Sequence, residues 1–357
     1  MAKILNQFSE SIARGDATSD HVFLLRRWLR ELGYQSDIYA LHFADDLVDE
    51  VLPMRGFRPN SHETHLIYHH AVGADIVDLL VATGLPLVVV YHNITPPEFF
   101  ANSNPALTRS LVRGREQLHL LAQNAALGLG ASHYNELELI EYGFKQTGVL
   151  PIVLDPDFYA HETNPVLAEK LAQNGPNLLF VGRISPNKRQ EDLVKLLYFY
   201  RRIRPNAHLT LVGSSHLRGY RVWLDEFIAN EELEDAVTIT GHVTLQDMVT
   251  YFRSADLFVS MSEHEGFGKF LIESMYFDLP VLAYAAAAVP LTMGDSGVLF
   301  HEKNYEALAE IADLLIHDNT LRQKIISKER QRLNTFLAST VKRQFADYLS
   351  HLLNISG

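Results

Sequence analysis

Short apolar runs, each followed by a turn and an amphipathic stretch, recur along most of the chain. This alternation predicts parallel βαβ units rather than an all-α or all-β fold. In the first half, strands are predicted at 3–8, 35–40, 64–70, 86–92, 127–132 and 149–154, with helices at 20–32 and 107–124. The run Leu87-Val88-Val89-Val90-Tyr91 is apolar without alternation, as a strand buried on both faces requires. A second series has strands at 177–182, 208–212, 237–240, 256–260 and 280–284, and helices at 188–204, 221–230, 245–252 and 267–277. Residues 155–175, with two prolines and no strand signal, read as an interdomain linker, and 305–354 as two or three helices. The pattern therefore predicts two Rossmann-like, doubly wound domains facing a central cleft. Ligands of such sheets gather beyond the carboxyl ends of the strands.

Composition narrows the class. The 357 residues are 47% hydrophobic and 21% charged, which fits a folded enzyme and not a disordered or fibrous chain. There are no cysteines, so thiol nucleophiles, thiolate metal sites and disulfides are excluded, and a reducing compartment, the cytoplasm, is the default. The net charge of -12 is concentrated in the first half, where residues 1–165 carry 11 Lys and Arg against 20 Asp and Glu. An acidic surface argues against nucleic acid as a partner. The longest apolar run, 280–291, has twelve residues, short of the ~20 that a spanning helix needs. No transmembrane segment is predicted. The helix at 20–32 carries Arg26, Arg27 and Arg30 beside Val22, Leu25 and Leu29, and reads as a core helix with a solvated face, leaving peripheral membrane contact open.

The most informative segment is Ser262-Glu-His-Glu-Gly-Phe-Gly-Lys-Phe-Leu-Ile-Glu273, a strand-following turn that leads into a helix. Glu265 and Glu273 are eight positions apart, ~12 Å if the segment is helical throughout. A nucleotide sugar separates its sugar and ribose hydroxyls by a comparable distance, with a diphosphate between. Carboxylates accept from vicinal hydroxyls. A helix start and backbone N–H groups near Phe267 and Gly268 suit the diphosphate. The second segment runs from Leu179 to Glu191. Arg183 and Lys188 flank a proline-containing turn there and can neutralise a departing diphosphate without a metal, whereas Arg189 reads as a solvated basic residue.

Gly182-Arg183 with Lys188, together with Glu265-Gly266-Phe267-Gly268 and Glu273, resembles the retaining glycosyltransferases of family 4 on the GT-B fold. The stretches 280–284 and 297–300 extend the resemblance, and Gly15-Asp16, Tyr91-His92-Asn93 and Ala131-Ser132 carry it more weakly into the first half. The resemblance implies an acceptor-binding domain at 1–165, with a terminal helix near 336–357 packing back on it, and a donor-binding domain at 166–335. It implies that Arg183 and Lys188 clamp the diphosphate, Glu265 contacts donor-sugar hydroxyls and Glu273 the ribose. The turn with His242 and Val243 would lie against the base through backbone groups. His92 would sit beside the reacting sugar carbon, and Gly15 would let its loop approach the phosphates. Gly266, Phe267, Gly268 and Lys269 complete the donor set.

Three features depart from the family pattern. Only one glycine stands in the first loop, Lys269-Phe270 replaces an apolar residue and proline, and Leu291 stands where many members have a third glutamate. Lys269 either adds charge at the diphosphate or points to solvent. The expected reaction moves a hexose from a UDP- or GDP-sugar to a hydroxyl acceptor with retention. The acceptor is a saccharide, a lipid-linked or a small molecule. No metal or other cofactor is required, and same-face and covalent routes both stay open. The alternatives are a nucleotide-sugar 2-epimerase or phosphorylase on the same fold, and a non-catalytic sugar-binding protein. His62, His65, His69 and His70 match no metal-ligand spacing and read as ordinary strand and loop histidines. Asp155-Pro156-Asp157 reads as a turn rather than a metal-holding pair.

Overall fold

The computed structural model describes residues 3–215 and 217–355. In chain order the elements are β1 (Gln7–Ile12), α1 (Ala17–Glu31), β2 (Ile38–Phe43), β3 (Val51–Pro53), β4 (Leu66–His70), α2 (Ile76–Val81), β5 (Leu87–Tyr91), α3 (Pro105–Asn124), β6 (Ala125–Gly130), α4 (His133–Glu141) and β7 (Thr147–Val149). There follow α5 (Pro165–Ala172), β8 (Asn177–Val181), α6 (Gln190–Ile203), β9 (His208–Val212), α7 (Arg218–Asn230), β10 (Val237–Gly241), α8 (Leu245–Ser254), β11 (Leu257–Ser260), α9 (Lys269–Tyr276), β12 (Val281–Tyr284), α10 (Val289–Met293) and β13 (Val298–Phe300). Helices α11 (Tyr305–His317), α12 (Asn319–Leu333) and α13 (Ala338–Ile355) close the chain.

Two compact units result. The first holds the chain up to Ala101, Pro105–Val153 and everything from Ala338 onward. Its sheet is wholly parallel, in the order β3-β2-β1-β4-β5-β6-β7. All five residues of β5 are buried, which explains the unbroken apolar run. Under one face α1 and α13 pack together: Leu25, Trp28 and Leu29 meet Val341, Phe345, Leu349 and Leu352 over Val88, Val90 and Leu129. Helix α13 also serves the edge strand, where the Tyr348 hydroxyl accepts from the Val149 amide at 3.1 Å and Gln344 donates to the Val149 carbonyl at 2.8 Å. On the outer face of α1, Arg26 donates to the Glu50 carbonyl and carboxylate at 2.6 and 2.7 Å, and Arg30 to Asp37 at 3.1 Å.

The second unit holds Asn102–Asn104 and Leu154–Leu337, with a parallel sheet in the order β10-β9-β8-β11-β12-β13. In both sheets the order reverses once, between β1 and β4 and between β8 and β11, and loops leaving those strands are where ligands bind.

Several boundaries differ from the sequence reading. The presumed linker is part of the second unit, which starts at Leu154 rather than residue 166. Tyr159 is buried there on α9, and α5 packs on α8 through Asn164, whose side chain donates to Asp247. Strand β1 starts at Gln7, four residues later than predicted; apolar Ile4 makes only isolated bridges ahead of it. Helix α9 starts at Lys269, not Phe267.

Candidate functional site

In the second unit, two turns leave the strands that flank the sheet reversal. The turn after β8 begins at Gly182, whose amide donates to the Val212 carbonyl at 2.9 Å. Gly213 lies so close that a Cβ on it would stand 2.0 Å from the Gly182 carbonyl oxygen. Arg183 follows, exposed, with no ion pair for its guanidinium among the described residues. Its backbone is fixed from below by buried Gln190, which donates to the Arg183 carbonyl at 2.9 Å and accepts from the Ser185 amide at 3.3 Å. The turn Pro186–Lys188 then delivers Lys188.

The second turn, after β11, carries Glu265 and Gly266 to the start of α9. Its cap, Gly268, has φ +87° and contributes no side chain, so the first turn of α9 has no side-chain cap. A Cβ at Gly268 would also lie 2.6 Å from Leu271 Cδ1. Phe267 is buried, edge-on to Phe336 at 5.5 Å, with its carbonyl accepting from Thr292 at 2.5 Å. Because the helix starts after Gly268, the stretch from Glu265 to Glu273 is not helical throughout, and the ~12 Å expectation does not apply.

The two turns are tied together. Lys188 Nζ and Glu265 Oε2 form an ion pair at 2.5 Å, both side chains being largely shielded. Buried Asn187 donates to the His264 carbonyl at 3.2 Å, and its own carbonyl accepts from the Glu263 amide at 2.9 Å. Arg189 is not a solvated residue. It adopts a left-handed φ of +54° and its guanidinium meets Glu191, Asp192 and Glu263 at 3.0, 3.0 and 3.4 Å. Lys303 joins Asp192 and Glu263 at 2.8 Å each. Burial pushes the Asp192 carboxyl up, but hydrogen bonds from Lys303, Arg189 and Tyr305 outweigh it and hold the group well below the usual carboxylate range.

Glu273 lies on α9, wholly buried. The Tyr159 hydroxyl donates to its Oε1, and Lys269 Nζ stands 3.5 Å from the same oxygen. Lys269 also lies 5.5 Å above the Phe158 ring. Its largely shielded ammonium thus faces the carboxylate of Glu273 and the ring of Phe158. His242 is exposed and Val243 half-buried in the turn between β10 and α8, where Thr244 caps α8. Leu291 is 40% exposed on α10, and its carbonyl accepts from Arg332.

In the first unit, Gly15 has φ +75° in the exposed turn before Asp16, which caps α1. No atom lies within 4 Å of a Cβ there, so the turn's conformation and not a close approach calls for glycine. His92 follows β5. The next residue, Asn93, has φ +76° and donates to Asn135 and Glu138 at 3.0 and 2.7 Å. Tyr91 and Arg115 also donate to Glu138, so the loop stands on a buried polar base. His92 Nε2 lies 3.0 Å from His69 Nδ1, and His69 Nε2 lies 2.9 Å from Gln7 Oε1. Burial, with His70 nearby, holds the His92 imidazole down at about 3. His69 is thus a buried strand histidine with both ring nitrogens hydrogen-bonded. The Asp155 side chain accepts from the Asp157 amide in the turn Pro156–Tyr159, as the sequence reading had it.

Gln7, Tyr159, Asn187 and Gln190 were not picked out from sequence, and His69 was read only as an ordinary strand or loop histidine. Asn187 and Gln190 sit inside the segment from Leu179 to Glu191, where an amide side chain in the turn or at the start of α6 was the available signal. The others are joined only by the fold.

Residues 167–332 match the family model of glycosyl transferases group 1. The chain is 30% identical over 149 residues to a D-inositol 3-phosphate glycosyltransferase of Pseudarthrobacter chlorophenolicus, covering 41% of this chain and 36% of that protein. It is 25% identical over 251 residues to O-antigen chain mannosyltransferase B of Escherichia coli, covering 66% and 62%. The chain thus spans about a third to three fifths of these curated relatives. Among solved structures, Anabaena Alr3699/HepE in complex with UDP and glucose superposes with a TM-score of 0.76 at 21% identity, over 98% of this chain and 100% of that one. Sucrose-phosphate synthase from Thermosynechococcus elongatus does so with a TM-score of 0.78 at 17% identity, over 99% and 100%. The fold is GT-B, and the match to the group 1 glycosyl transferase model lies within the second unit. Among the described residues no helix is long and apolar enough to cross a membrane.

Proposed function

We propose that the protein is a retaining glycosyltransferase that moves a hexose from a UDP- or GDP-sugar to a hydroxyl acceptor in saccharide or glycoconjugate synthesis. The observation that carries this reading is the tied pair of turns at the sheet reversal of the second unit. An exposed arginine, a lysine held by Glu265, and a helix start without a side-chain cap come from strands β8 and β11, where such sheets bind ligands. A sugar-binding protein has no need of this cationic set; a departing nucleoside diphosphate does.

In this reading Lys188 exchanges its partner when the donor enters. Its ammonium turns from Glu265 to the diphosphate, and the released carboxylate accepts from sugar hydroxyls. Arg183 binds the diphosphate from the solvent side, and the amides after Gly268 face it. The C1–O bond to phosphate breaks, the acceptor oxygen bonds to C1 from the same face, and its proton passes to the departing phosphate. Two side-chain cations and a helix start supply the neutralising charge, so no divalent ion is invoked. The Gly241-His242-Val243 turn offers backbone groups to the base. Glu273 serves the ribose only if the turn carrying Tyr159 yields its hydrogen bond. His92 contacts the hexose, and the first unit takes the acceptor, a saccharide by analogy with the O-antigen relative. A cytoplasmic setting fits the cysteine-free chain.

The test is calorimetric titration with UDP and GDP in EDTA, on wild type and Arg183→Ala. Because Arg183 is exposed and makes no ion pair, the variant should fold normally. Binding of one nucleotide without metal, weakened at least tenfold by the substitution, supports the reading. Failure of both nucleotides to bind removes it. Turnover without any acceptor would instead favour the epimerase.

A further inference from the structure

A third element, α7, reaches the cationic turn that follows β8. Tyr220, in the first turn of α7, brings its hydroxyl to the head of α6. Helix α6 has a use for it. Arg189, which precedes the helix in a left-handed conformation, makes no side-chain cap. The Gln190 amide, which can only donate, points instead to the Tyr220 oxygen at 3.2 Å. The phenol proton is then left for two acceptors, Glu191 Oε2 at 2.6 Å and Gln190 Oε1 at 3.1 Å. Burial, with Glu191 alongside, pushes the phenol up, so the hydroxyl keeps its proton. The ring is held as well. It stacks on Trp223 at 5.7 Å, Trp223 stacks on Phe227 at 5.7 Å, and Lys195 of α6 lies 6.0 Å over Phe227.

Gln190 passes this anchor on to Arg183. Its side chain is wholly buried, and its Nε2 group must face the Arg183 carbonyl, which can only accept. Its oxygen therefore faces both the Ser185 amide and the Tyr220 hydroxyl. The loop from β9 to α7 adds a second tie, since the Ile184 amide donates to the Ser214 carbonyl at 3.0 Å. The Arg183 guanidinium is exposed and makes no ion pair among the described residues, so its place is set by its backbone. We infer that Tyr220 is a positioning residue of the donor site: through Gln190 it fixes the backbone of the turn that presents Arg183 to the diphosphate of the nucleotide sugar. The contact with a diphosphate rests on the glycosyltransferase reading; the tether rests on geometry alone. Tyr220 itself touches no ligand in this role. A residue that merely capped α6 would add stability without changing what Arg183 does.

The experiment uses Tyr220→Phe in the full chain, which keeps the ring and its stacking and removes only the hydroxyl. Amide exchange followed by NMR reads the tether without any ligand. The Ser185 amide should exchange about tenfold faster than in wild type, the loss of about one hydrogen bond, while amides of β9 and β11 keep their rates. Calorimetric titration in EDTA reads the role. For whichever of UDP or GDP binds, Kd should rise about fivefold in Tyr220→Phe. In an Arg183→Ala background the same substitution should change Kd by less than about twofold, because the residue it acts through is gone. An unchanged Ser185 amide overturns the tether, whatever the reaction. A faster Ser185 amide with wild-type Kd, or with the same rise in Kd in both backgrounds, overturns the role at Arg183. If wild type binds neither nucleotide while the Ser185 amide responds as stated, the tether stands and the glycosyltransferase reading is what fails.

Discussion

At the residue scale, Lys188 and Glu265 are interdependent and their substitutions should not act alike. Lys188→Ala removes a phosphate cation and leaves Glu265 shielded without its partner. We expect kcat to fall about 10²–10³-fold, as when a stabilising donor is taken from a developing anion. Lys188→Arg should not restore it, because a planar fork does not reproduce a compact ammonium. Glu265→Gln keeps shape and hydroxyl recognition in part, but frees Lys188 before donor arrives. It should weaken transfer while leaving UDP or GDP affinity equal or tighter. Steady-state kinetics with calorimetry on the same variants separate these outcomes, and equal loss of nucleotide affinity in both would refute the exchange of partners. Asn187 acts differently, since it touches backbone on the second turn rather than ligand. Asn187→Ala should cost about 1–3 kcal/mol of stability by leaving buried groups unpaired.

At the element scale, two features carry the strongest expectations. Gly213→Ala would place a methyl against the Gly182 carbonyl and push the Arg183 turn out of line. It should destabilise the second unit by about 1–3 kcal/mol and lower nucleotide affinity together, measured by denaturant unfolding and titration. Deleting the chain from Ala338 takes Val341, Phe345, Leu349 and Leu352 out of the first unit's core. At about 1.5–3 kcal/mol each, their burial is worth about as much as a domain's whole stability. The first unit should then lose its native near-UV signal, and a truncated chain with native dichroism at Trp28 would refute the dependence. The same elements show what sequence could reveal. Strands β8, β9, β11 and β12 were legible because nearly every position is buried and the runs are mostly apolar. Edge strands β3 and β13 have three residues each, too few to make a pattern. The Arg183, Lys188, Glu265 and Glu273 segments were legible because each is contiguous. The Gln7–His69–His92 row was not, since it depends on β1, β4 and β5 being neighbours and on where β1 starts.

At the scale of the whole molecule, the two units should respond to pH with opposite sign. In the first unit, burial holds His70 down at about 4 and His92 at about 3, and depresses His21 and His69 as well. An unfolded histidine binds its proton near 6.5, so between roughly pH 6.5 and 4 the unfolded chain holds more protons than the native one. Acidification through that window must therefore destabilise the first unit, by at most about 1.4 kcal/mol per pH unit for each histidine. In the second unit the buried Glu329 behaves in the reverse way. Its Oε1 accepts from the Val281 amide at 3.0 Å while Oε2 is buried with no partner, and burial raises the carboxyl to about 8. The native state here binds the extra proton between about pH 4.5 and 8, so stability falls as pH rises through that range. Glu329→Gln keeps an acceptor for Val281 and cannot ionise. Hydrogen exchange under global-unfolding conditions reads the units separately, at the amides of β12 and of β5. Between pH 6 and 9 the wild-type β12 amides should lose on the order of a few kcal/mol of protection that the variant retains. Between pH 7 and 5 the β5 amides should lose protection equally in both proteins. A wild-type alkaline slope that persists unchanged in Glu329→Gln would show that another group sets the second unit's response.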